Sequence, residues 1–476
     1  MPHSTSEAGE AIPGDPVEER GHRNTDLLEG KRAGTSSPTT VSTKLQRIAT
    51  LAREAPERVL TTLAHHIDGA FLHEAFRRTR KDGAVGVDGQ TAEASAAHLP
   101  AHLESLLTRL KTGTYSAPPV RRVYIPKGTG AALRPIGVPT FEDKVLQRAI
   151  AMVLDAVYEQ DFLDCSYGFR PGRSPHHALQ ALWQQVMRMR GGWRLKVDIQ
   201  HDFDTLDHQH LRRFLDQRVR DGVIRRIIDK WLKAGVLEHG CVTHPDTGVP
   251  QGSGVAPILA NVFLHRTLDI WFEQVVKPRL AGEAALYRYA DDIVMVCALE
   301  RDAQRLLTVL PQRLGKYGLT LHPTKTQVTR CTRPPSHAHS RRHTPPTPSG
   351  TFDLLGFTHY WGRSRQGNWV VKRQTTTTRL THALMRIKAW CRDHRHAPVP
   401  WQHQPLVRKL RGHYAYYGIP GNLDALRLFR LEVIRLWRKW LGRRSHRGRL
   451  RWERFARLLV RYPFPQAKIV PATPVT

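Results

Sequence analysis

The sequence has no long apolar runs, no closely spaced cysteines and few acidic residues. In its 476 residues no segment has about 18 consecutive apolar positions, so we expect no membrane-spanning helix and no membrane partner. The five cysteines are odd in number and widely separated, and no Cys-x-x-Cys pair occurs. This pattern argues against a disulfide framework and against a zinc ribbon. Because the N-terminus also lacks an apolar signal core, we expect a reduced, cytoplasmic protein.

Basic residues far outnumber the acidic ones. The chain has 73 Lys plus Arg against 42 Asp plus Glu, which gives a formal net charge of +31. Such an excess favours a polyanionic partner, and we expect nucleic acid, bound through counterion release, although the charge alone could also serve an anionic membrane. In a bacterial cell the nucleic-acid alternative predicts association with the nucleoid.

Composition divides the chain into three stretches. Residues 1–43 are rich in Ser, Thr, Gly, Pro and charge without an apolar period, and we expect them to be disordered. Residues 44–362 start with helical apolar spacing and continue into strand-like runs, with a Pro-, His- and Arg-rich insertion at 331–350 that reads as an exposed loop. Residues 363–476 are predicted to be helical and basic.

Two adjacent carboxylates stand between two apolar runs. Tyr289-Ala290-Asp291-Asp292 follows the apolar run 284–287 and precedes the apolar run 293–297, which predicts a β-hairpin with Asp291 and Asp292 at its tip. On its own an Asp pair at a turn is more often solvated turn chemistry. Between strands this apolar, however, the repulsion and desolvation of two acids favour a bound cation, and Mg²⁺ takes carboxylate oxygens.

A third acid stands at the end of another short strand. The β-rich run Trp193–Ile199 carries Asp198 near its end, just before a polar stretch. The alternative to a metal ligand is an ordinary exposed residue at a strand end. If the two strand ends converge, three carboxylates could hold two Mg²⁺ ions about 3.5–4 Å apart. Such a pair activates a 3′-hydroxyl and stabilises leaving pyrophosphate, which is polymerase chemistry.

Further motifs follow in a consistent order. They are Ile125–Lys127 with Leu133–Pro135, Gly168–Pro171, Asp198–Asp204, Gly248–Pro257, Gly318–Leu321 with Lys325, and Leu355–Phe357. With these motifs the chain resembles a group II intron reverse transcriptase and maturase, from about Phe71 to the C-terminus. The resemblance implies an α+β right-hand polymerase: fingers and an antiparallel palm sheet with the Tyr-Ala-Asp-Asp hairpin, followed by an α-helical thumb and maturase region.

The resemblance and the chemistry together suggest roles. Asp198 and Asp291 should hold the two Mg²⁺ ions, with Asp292 beside them and the carbonyl of Ile199 as a further ligand. The candidate nucleotide-binding residues are Lys127, Arg134, Phe203, Gln251 and Lys325. Lys127 and Arg134 would neutralise the triphosphate, although an ordinary basic surface is the alternative.

The other three nucleotide-binding candidates have alternatives of their own. Phe203 would exclude a 2′-hydroxyl, or pack the palm core. Gln251 lies in a glycine-flanked turn whose backbone could approach nucleotide or template. Lys325 would bind phosphate, or be a solvated lysine. Two departures from the family pattern, Gln200 in place of a usual Lys and the acid Asp202, could weaken nucleotide binding.

The C-terminal stretch carries the candidate RNA-binding residues. Leu426, Phe429, Val433, Leu436 and Trp440 recur at helical spacing, with arginines on the other faces. We expect a phosphate-binding surface rather than a merely solvated face. The segment Leu410–Gly418 resembles the family's maturase signature, in which tyrosines either stack on unpaired bases or pack the core. The predicted RNA-binding residues are Arg411, Tyr414, Arg427, Arg430, Arg438, Arg443 and Arg444.

The expected function is an RNA-directed DNA polymerase of a group II intron. It would copy intron RNA to cDNA and, as a maturase, promote splicing and retrohoming; its partners would be the intron RNA, target DNA and dNTPs, with a homodimer left open. No cysteine follows Cys391, so no His/Cys-rich endonuclease domain is expected and the DNA primer would have another source. The alternatives are a domesticated or defence-associated, CRISPR-linked reverse transcriptase, and a splicing cofactor with a decayed polymerase.

Overall fold

The structure is a computed structural model. It describes residues 38–126, 133–200, 205–244, 246–249, 251–334, 350–444 and 450–470. In these residues helices and mainly antiparallel sheets alternate over the first three quarters of the chain, and helices alone make up the C-terminal part. This mixed α and β architecture agrees with the predicted α+β class.

Five of the described helices lie between residues 38 and 158. They are α1 (Pro38–Glu54), α2 (Gly69–Arg78), α3 (Ala92–Ala97), α4 (Leu99–Thr112) and α5 (Phe141–Tyr158). Helix α1 begins at Pro38, so residues 38–43 are helical and the predicted disordered stretch ends too late by that much. The reason is burial, since Val41 at the start of α1 is only 3% exposed and joins the main core with Ile48.

The first sheet has the order β2-β1-β4-β5. Its strands are β1 (Val120–Pro126), β2 (Leu133–Val138), β4 (Val236–Glu238) and β5 (Cys241–Thr243). Strands β1 and β2 pair antiparallel from Arg121 opposite Val138 to Pro126 opposite Leu133. The residues that connect them, including Lys127, lie outside the described residues.

The second sheet has the order β6-β7-β3-β8 and is antiparallel. Its strands are β3 (Trp193–Val197), β6 (Ala284–Tyr289), β7 (Asp292–Cys297) and β8 (Gln327–Arg330). Ile293 and Met295 join the main core, whereas Val294 and Val296 pack with the second apolar cluster on the other face. Because both faces are covered, these strands read as continuous apolar runs rather than alternating ones.

Helices cover both faces of this sheet. They are α6 (Pro175–Arg188), α7 (His208–Asp216), α8 (Gly222–Lys233), α9 (Ala256–Leu264, continued by π-helical turns to Val276) and α10 (Glu300–Gly315). Leu306 and Leu310 of α10 lie in the main core, and Leu179 and Leu182 of α6 lie in the second cluster. The sheet is therefore packed against helices on both of its faces.

A third sheet lies across the boundary that the sequence suggested at residue 362. Strands β9 (Phe352–Leu354), β10 (Phe357–Arg363) and β11 (Trp369–Thr375) are antiparallel, and β10 pairs with β11 along its whole length. The boundary at 362 therefore falls inside a β-hairpin, and the helical part starts after Thr375. Alternating buried positions in β11 hide this strand from a reading that looks for helical periods.

The C-terminal helical region comprises the described residues from 377 onward. Its helices are α11 (Thr377–Asp393), α12 (Val399–Tyr417), α13 (Leu423–Leu441) and α14 (Trp452–Arg461). The buried stripe of α13 runs through Leu426, Phe429, Val433 and Trp437, so the predicted stripe is right at its start but turns away from Leu436 and Trp440, which are half-buried. No helix in the described part of the chain is long and apolar enough to cross a membrane.

Candidate active site

The tip of the β6–β7 hairpin carries the two adjacent acids. Tyr289 pairs with Asp292, so Ala290 and Asp291 form the connection between the two strands. Ala290 adopts a left-handed backbone conformation (φ 55°) and is 8% exposed. A non-glycine residue in this region is uncommon and is held there by its surroundings. The turn is therefore a packed element and not a loose loop.

The strand register brings the third acid to the same end of the sheet. Strand β3 runs antiparallel to β7, with Val197 opposite Ile293. Asp198 directly follows this last pair and Asp292 directly precedes it, so the register extended by one residue would set the two acids opposite each other. Residues opposite each other in an antiparallel pair have Cα atoms about 4.5–5.5 Å apart. Acids that are almost a hundred positions apart in the sequence thus belong to neighbouring strand ends.

Asp198 is held from its other side by the segment before β8. Its backbone N–H donates to Thr326 Oγ1 at 3.3 Å, and its carbonyl accepts from the His322 N–H at 2.8 Å. Lys325 Nζ lies 3.6 Å from Asp198 Oδ1, with half of the lysine side chain exposed. The backbone of Asp198 is thereby fixed, while an ion pair this exposed contributes at most about 1 kcal/mol and can open for another ligand.

The donor chemistry of this sheet end suits a hard divalent cation. Carboxylate oxygens are the ligands that Mg²⁺ prefers, and the register supplies those of Asp198 and Asp292, with Asp291 in the turn. Ile199 forms an isolated bridge with Leu321 and is 7% exposed. Among the described residues no three His, Cys, Asp or Glu side chains are grouped so that they could hold a metal ion. The acids thus fit a metal by residue type and by the strands that carry them, and not by a formed ligand cluster.

Gly168 packs closely against the backbone of the hairpin turn. A Cβ atom added to Gly168 would lie 2.2 Å from the backbone nitrogen of Ala290, which no side chain could tolerate. The next residue, Phe169, has a positive φ of 57°, and its ring centroid is 6.5 Å from that of Tyr289. The Gly168-Phe169 segment therefore sets the position of the turn, which explains why the sequence places a glycine there.

A buried polar network anchors the base of the same hairpin. Arg288 is fully buried and donates to Asp269 Oδ1 at 2.8 Å and Oδ2 at 2.6 Å. It also donates to Asn261 Oδ1 and to Ser166 Oγ, at 2.8 and 2.7 Å. Asn261 in turn donates to the carbonyl of Gly168 at 2.8 Å. The network thus ties the hairpin, α9 with its π-helical extension, and the supporting glycine segment together.

Sequence reasoning missed this network. The signal was present, because Asn261 and Asp269 are polar residues in the apolar stretch around α9 and Arg288 interrupts an apolar strand. A buried charge requires a partner. Which residue pairs with which is a property of the tertiary structure, and no spacing rule connects positions 269 and 288.

Of the predicted nucleotide-binding residues, some lie in the described part of the chain and others do not. Arg134 lies exposed on β2, in the first sheet. The carbonyl of Gln251 accepts from the Gly137 N–H at 2.7 Å, and a Cβ on Gly252 would lie 2.7 Å from the Gly137 carbonyl oxygen. The Gln251 turn thus packs on the β1–β2 hairpin that carries Arg134. Lys127, Phe203 and Asp202 lie outside the described residues.

Three of the predicted RNA-binding residues lie on the surface. Arg411 and Arg443 are exposed, and the Arg443 guanidinium is 5.3 Å from the centroid of the Trp440 ring. Arg427 is exposed and lies 3.3 Å from the carboxylate of Asp424, which is itself almost fully exposed. These arginines are accessible to a phosphate backbone.

The other four are buried or half-buried, and RNA binding by the three arginines among them stays a prediction. Tyr414 is 2% exposed in the core of the C-terminal helical region, so of its two alternatives the structure supports packing. Arg430 donates to the Pro465 carbonyl at 3.1 Å, Arg438 to that of Leu450 at 2.9 Å, and Arg444 to that of Ala397 at 2.6 Å. Helical spacing places these arginines off the apolar stripe but cannot show that loop carbonyls bind them.

Comparison with known proteins gives a family match. Residues 125–359 match the family described as reverse transcriptase (RNA-dependent DNA polymerase). Protein YkfC of Escherichia coli is 35% identical over 257 residues, covering 52% of this chain and 66% of that protein. Group II intron-encoded protein LtrA of Lactococcus lactis is 33% identical over 222 residues, covering 46% and 37%. Nuclear intron maturase 3 of Arabidopsis thaliana is 32% identical over 205 residues, covering 37% and 28%.

The matched segment contains both strand ends that carry the acids and the turn that packs on the β1–β2 hairpin. Fold and site therefore define a reverse transcriptase domain. Within that class, the relatives to which the chain is similar include a group II intron-encoded protein and an intron maturase. The match covers less than two thirds of the length of each of these relatives.

Proposed function

We propose that the chain is an RNA-directed DNA polymerase that copies intron RNA into cDNA, with Asp198, Asp291 and Asp292 as its catalytic carboxylates. The observation that supports the proposal is the register of β3 on β7, whose last pair, Val197 with Ile293, is followed by Asp198 on one strand and preceded by Asp292 on the other. In the right-hand description, the second sheet is the palm, the β1–β2 hairpin belongs to the fingers, and the C-terminal helical region is the thumb and maturase part.

Reverse transcriptase domains generally use divalent metal ions, and we propose Mg²⁺ here. Asp198 and Asp291 would hold two ions, with the Ile199 carbonyl as a further ligand and Asp292 beside them. When bound, the ions would activate the 3′-hydroxyl and stabilise the leaving pyrophosphate. The chain's own contribution is positional, because the Thr326 and His322 contacts fix the Asp198 backbone, and Gly168 with the Arg288 network fixes the hairpin.

The nucleotide would lie between the palm acids and the fingers hairpin. Arg134, together with Lys127, would neutralise the triphosphate as pyrophosphate leaves. The packing of the Gln251 turn on Gly137 supports this arrangement, because it couples the hairpin to the segment that leads into α9. Phe203 keeps its proposed role in excluding a 2′-hydroxyl, and Lys325 remains a phosphate ligand that would exchange its Asp198 contact for the substrate.

A second activity is proposed for the C-terminal helical region. The exposed residues Arg411, Arg427 and Arg443 would bind phosphates of the intron RNA and so promote splicing and, with target DNA, retrohoming. The charge excess of the chain supports this proposal, since each phosphate contact releases counterions.

Primer extension separates the two activities. On poly(rA)/oligo(dT) with Mg²⁺, Asp291→Ala and Asp198→Ala are expected to abolish cDNA synthesis, while binding of intron RNA stays within about twofold of wild type. Asp82→Ala is the matched control, because its carboxylate is exposed and pairs with Arg80 away from the sheet end. Loss of both activities in a folded Asp291→Ala protein would contradict the division of roles. Wild-type protein without product in Mg²⁺ or Mn²⁺ would instead favour a splicing cofactor with a decayed polymerase.

A further inference from the structure

Three stacked rings lie where helix α11 ends and helix α12 begins. The Trp390 and Trp401 ring centroids are 6.0 Å apart with 13° between their planes, and the His394 ring lies 4.7 Å from Trp390 and 5.3 Å from Trp401. Near-parallel rings at such separations form offset stacks. We call these three residues the aromatic platform.

The outer ring of the platform faces solvent. Trp401 is 50% exposed although its ring stacks with those of Trp390 and His394, so about half of its surface is open to solvent. Trp452 is a useful contrast in the same region. It is 47% exposed, but it lies outside the stack and the Arg438 guanidinium is 4.0 Å from its ring centroid. Exposure alone does not distinguish the two tryptophans, whereas membership of the aromatic stack does.

Buried hydrogen bonds hold the platform in place. Gln402 is 1% exposed, and its Nε2 donates to the carbonyls of His394 at 2.8 Å and Ala397 at 2.9 Å. Its Oε1 accepts from Trp437 Nε1 at 2.9 Å. His394 Nδ1 lies 2.9 Å from the Trp390 carbonyl oxygen, so Nδ1 carries the hydrogen. A platform fixed before binding loses little conformational entropy when a ligand stacks on it.

Positive charge borders the platform. Lys409 Nζ lies 6.0 Å from the centroid of the Trp390 ring. Partial burial, and then the neighbouring Arg386 and Arg408, lower the pKa of Lys409, which indicates cations close to one another. Asp393, the acid directly before His394, forms an ion pair with Arg392 at 2.8 Å. The basic side chains beside the platform therefore suit a phosphate group.

We infer that the aromatic platform binds an unpaired nucleotide of a nucleic-acid single strand, with the base on Trp401 and the phosphate beside Lys409 and Arg408. A base inside a duplex has both faces covered by its neighbours, whereas an unpaired base has a free face that an aromatic ring can cover. The inference rests on the proposed RNA binding of the C-terminal helical region and gives it a second kind of contact besides phosphate pairing.

Fluorescence anisotropy with a labelled single-stranded RNA of about 12 nucleotides tests the inference. Trp401→Ala is expected to weaken binding about tenfold, with an unchanged slope of log affinity against log salt. Trp401→Phe should restore most of the affinity, because it keeps a flat ring. Lys409→Ala should lower the salt slope by about one. Trp452→Ala is the matched control, since it removes an almost equally exposed tryptophan that lies outside the aromatic platform.

Two comparison ligands identify the source of the base. Single-stranded DNA of the same sequence should show the Trp401 effect if the platform reads stacking alone, and a blunt RNA duplex should not show it. Equal binding by Trp401→Ala and Trp452→Ala, or an equal loss on the duplex, overturns the inference. If wild-type protein binds neither RNA, the proposed RNA-binding function fails with it; if wild type binds and Trp401→Ala is unaffected, only the platform fails.

Discussion

Breaking the Arg288–Asp269 pair should destabilise the protein far more than breaking a surface pair. Both side chains are fully buried, and two hydrogen bonds of 2.8 and 2.6 Å join them. His265 does not substitute as the cation, because burial lowers its pKa to about 4 and leaves it neutral at pH 7. Asp269→Asn would therefore leave a buried guanidinium without its counter-charge.

The expected loss is about 3 kcal/mol. Removing one partner of a buried ion pair typically costs about 3–5 kcal/mol. Arg288 would still donate hydrogen bonds to Asn261 and Ser166, so we expect a cost at the lower end of this range. The exposed pair Arg173–Asp164 is the control. Its carboxylate is 93% exposed, so Asp164→Asn should cost less than about 1 kcal/mol.

Urea unfolding followed by circular dichroism measures both effects. The double variant Arg288→Met, Asp269→Leu should be more stable than the sum of the single losses predicts, because an apolar pair of similar volume needs no counter-charge. If Asp269→Asn lies within about 1 kcal/mol of wild type, or if the single losses simply add, the network does not anchor the hairpin as the geometry indicates.

Two further predictions concern backbone packing and pH. Gly168→Ala should lower the melting temperature and primer extension together, since its Cβ would meet Ala290 N at 2.2 Å, whereas Gly222→Ala, with open space around its Cβ, should change neither. Burial raises the pKa of Asp143 from 3.8 to about 6, so the folded protein favours the protonated carboxyl group. The stabilisation from this preference is fully present below about pH 4 and is lost as the pH rises to about 6. That loss is about 3 kcal/mol, and thermal melts from pH 4 to 8 should show a flatter profile in Asp143→Asn; an unchanged profile would show that Asp143 is not the titrating group.

Much of the palm could be predicted because its signals are local. Continuous apolar runs flanking Asp291 and Asp292 predicted two paired strands, and the pairing of β6 with β7 confirms them. The run ending at Asp198 likewise predicted β3, whose last residue is Val197. What no local pattern contained was the register of β3 on β7, which depends on packing against helices from distant parts of the chain.

The C-terminal helical region was harder to predict in detail. Helical spacing identified α13, but it did not show that the half-buried Arg430, Arg438 and Arg444 donate hydrogen bonds to carbonyls of neighbouring segments. Spacing within one helix shows which face is apolar, but it contains no information on which loop crosses the polar face. Tyr414 is buried for the same reason, because the segment around Pro465 covers it.

The sequence by itself determined the class of chemistry, because adjacent acids between apolar strands and a large excess of cations are properties of residue type and order. Only the tertiary structure decided how those residues are held. Gly168 under the turn, Arg288 in its buried network and the Trp401 platform each depend on contacts between segments far apart in the chain. Such contacts follow from the packing of whole elements, which no window of neighbouring residues specifies.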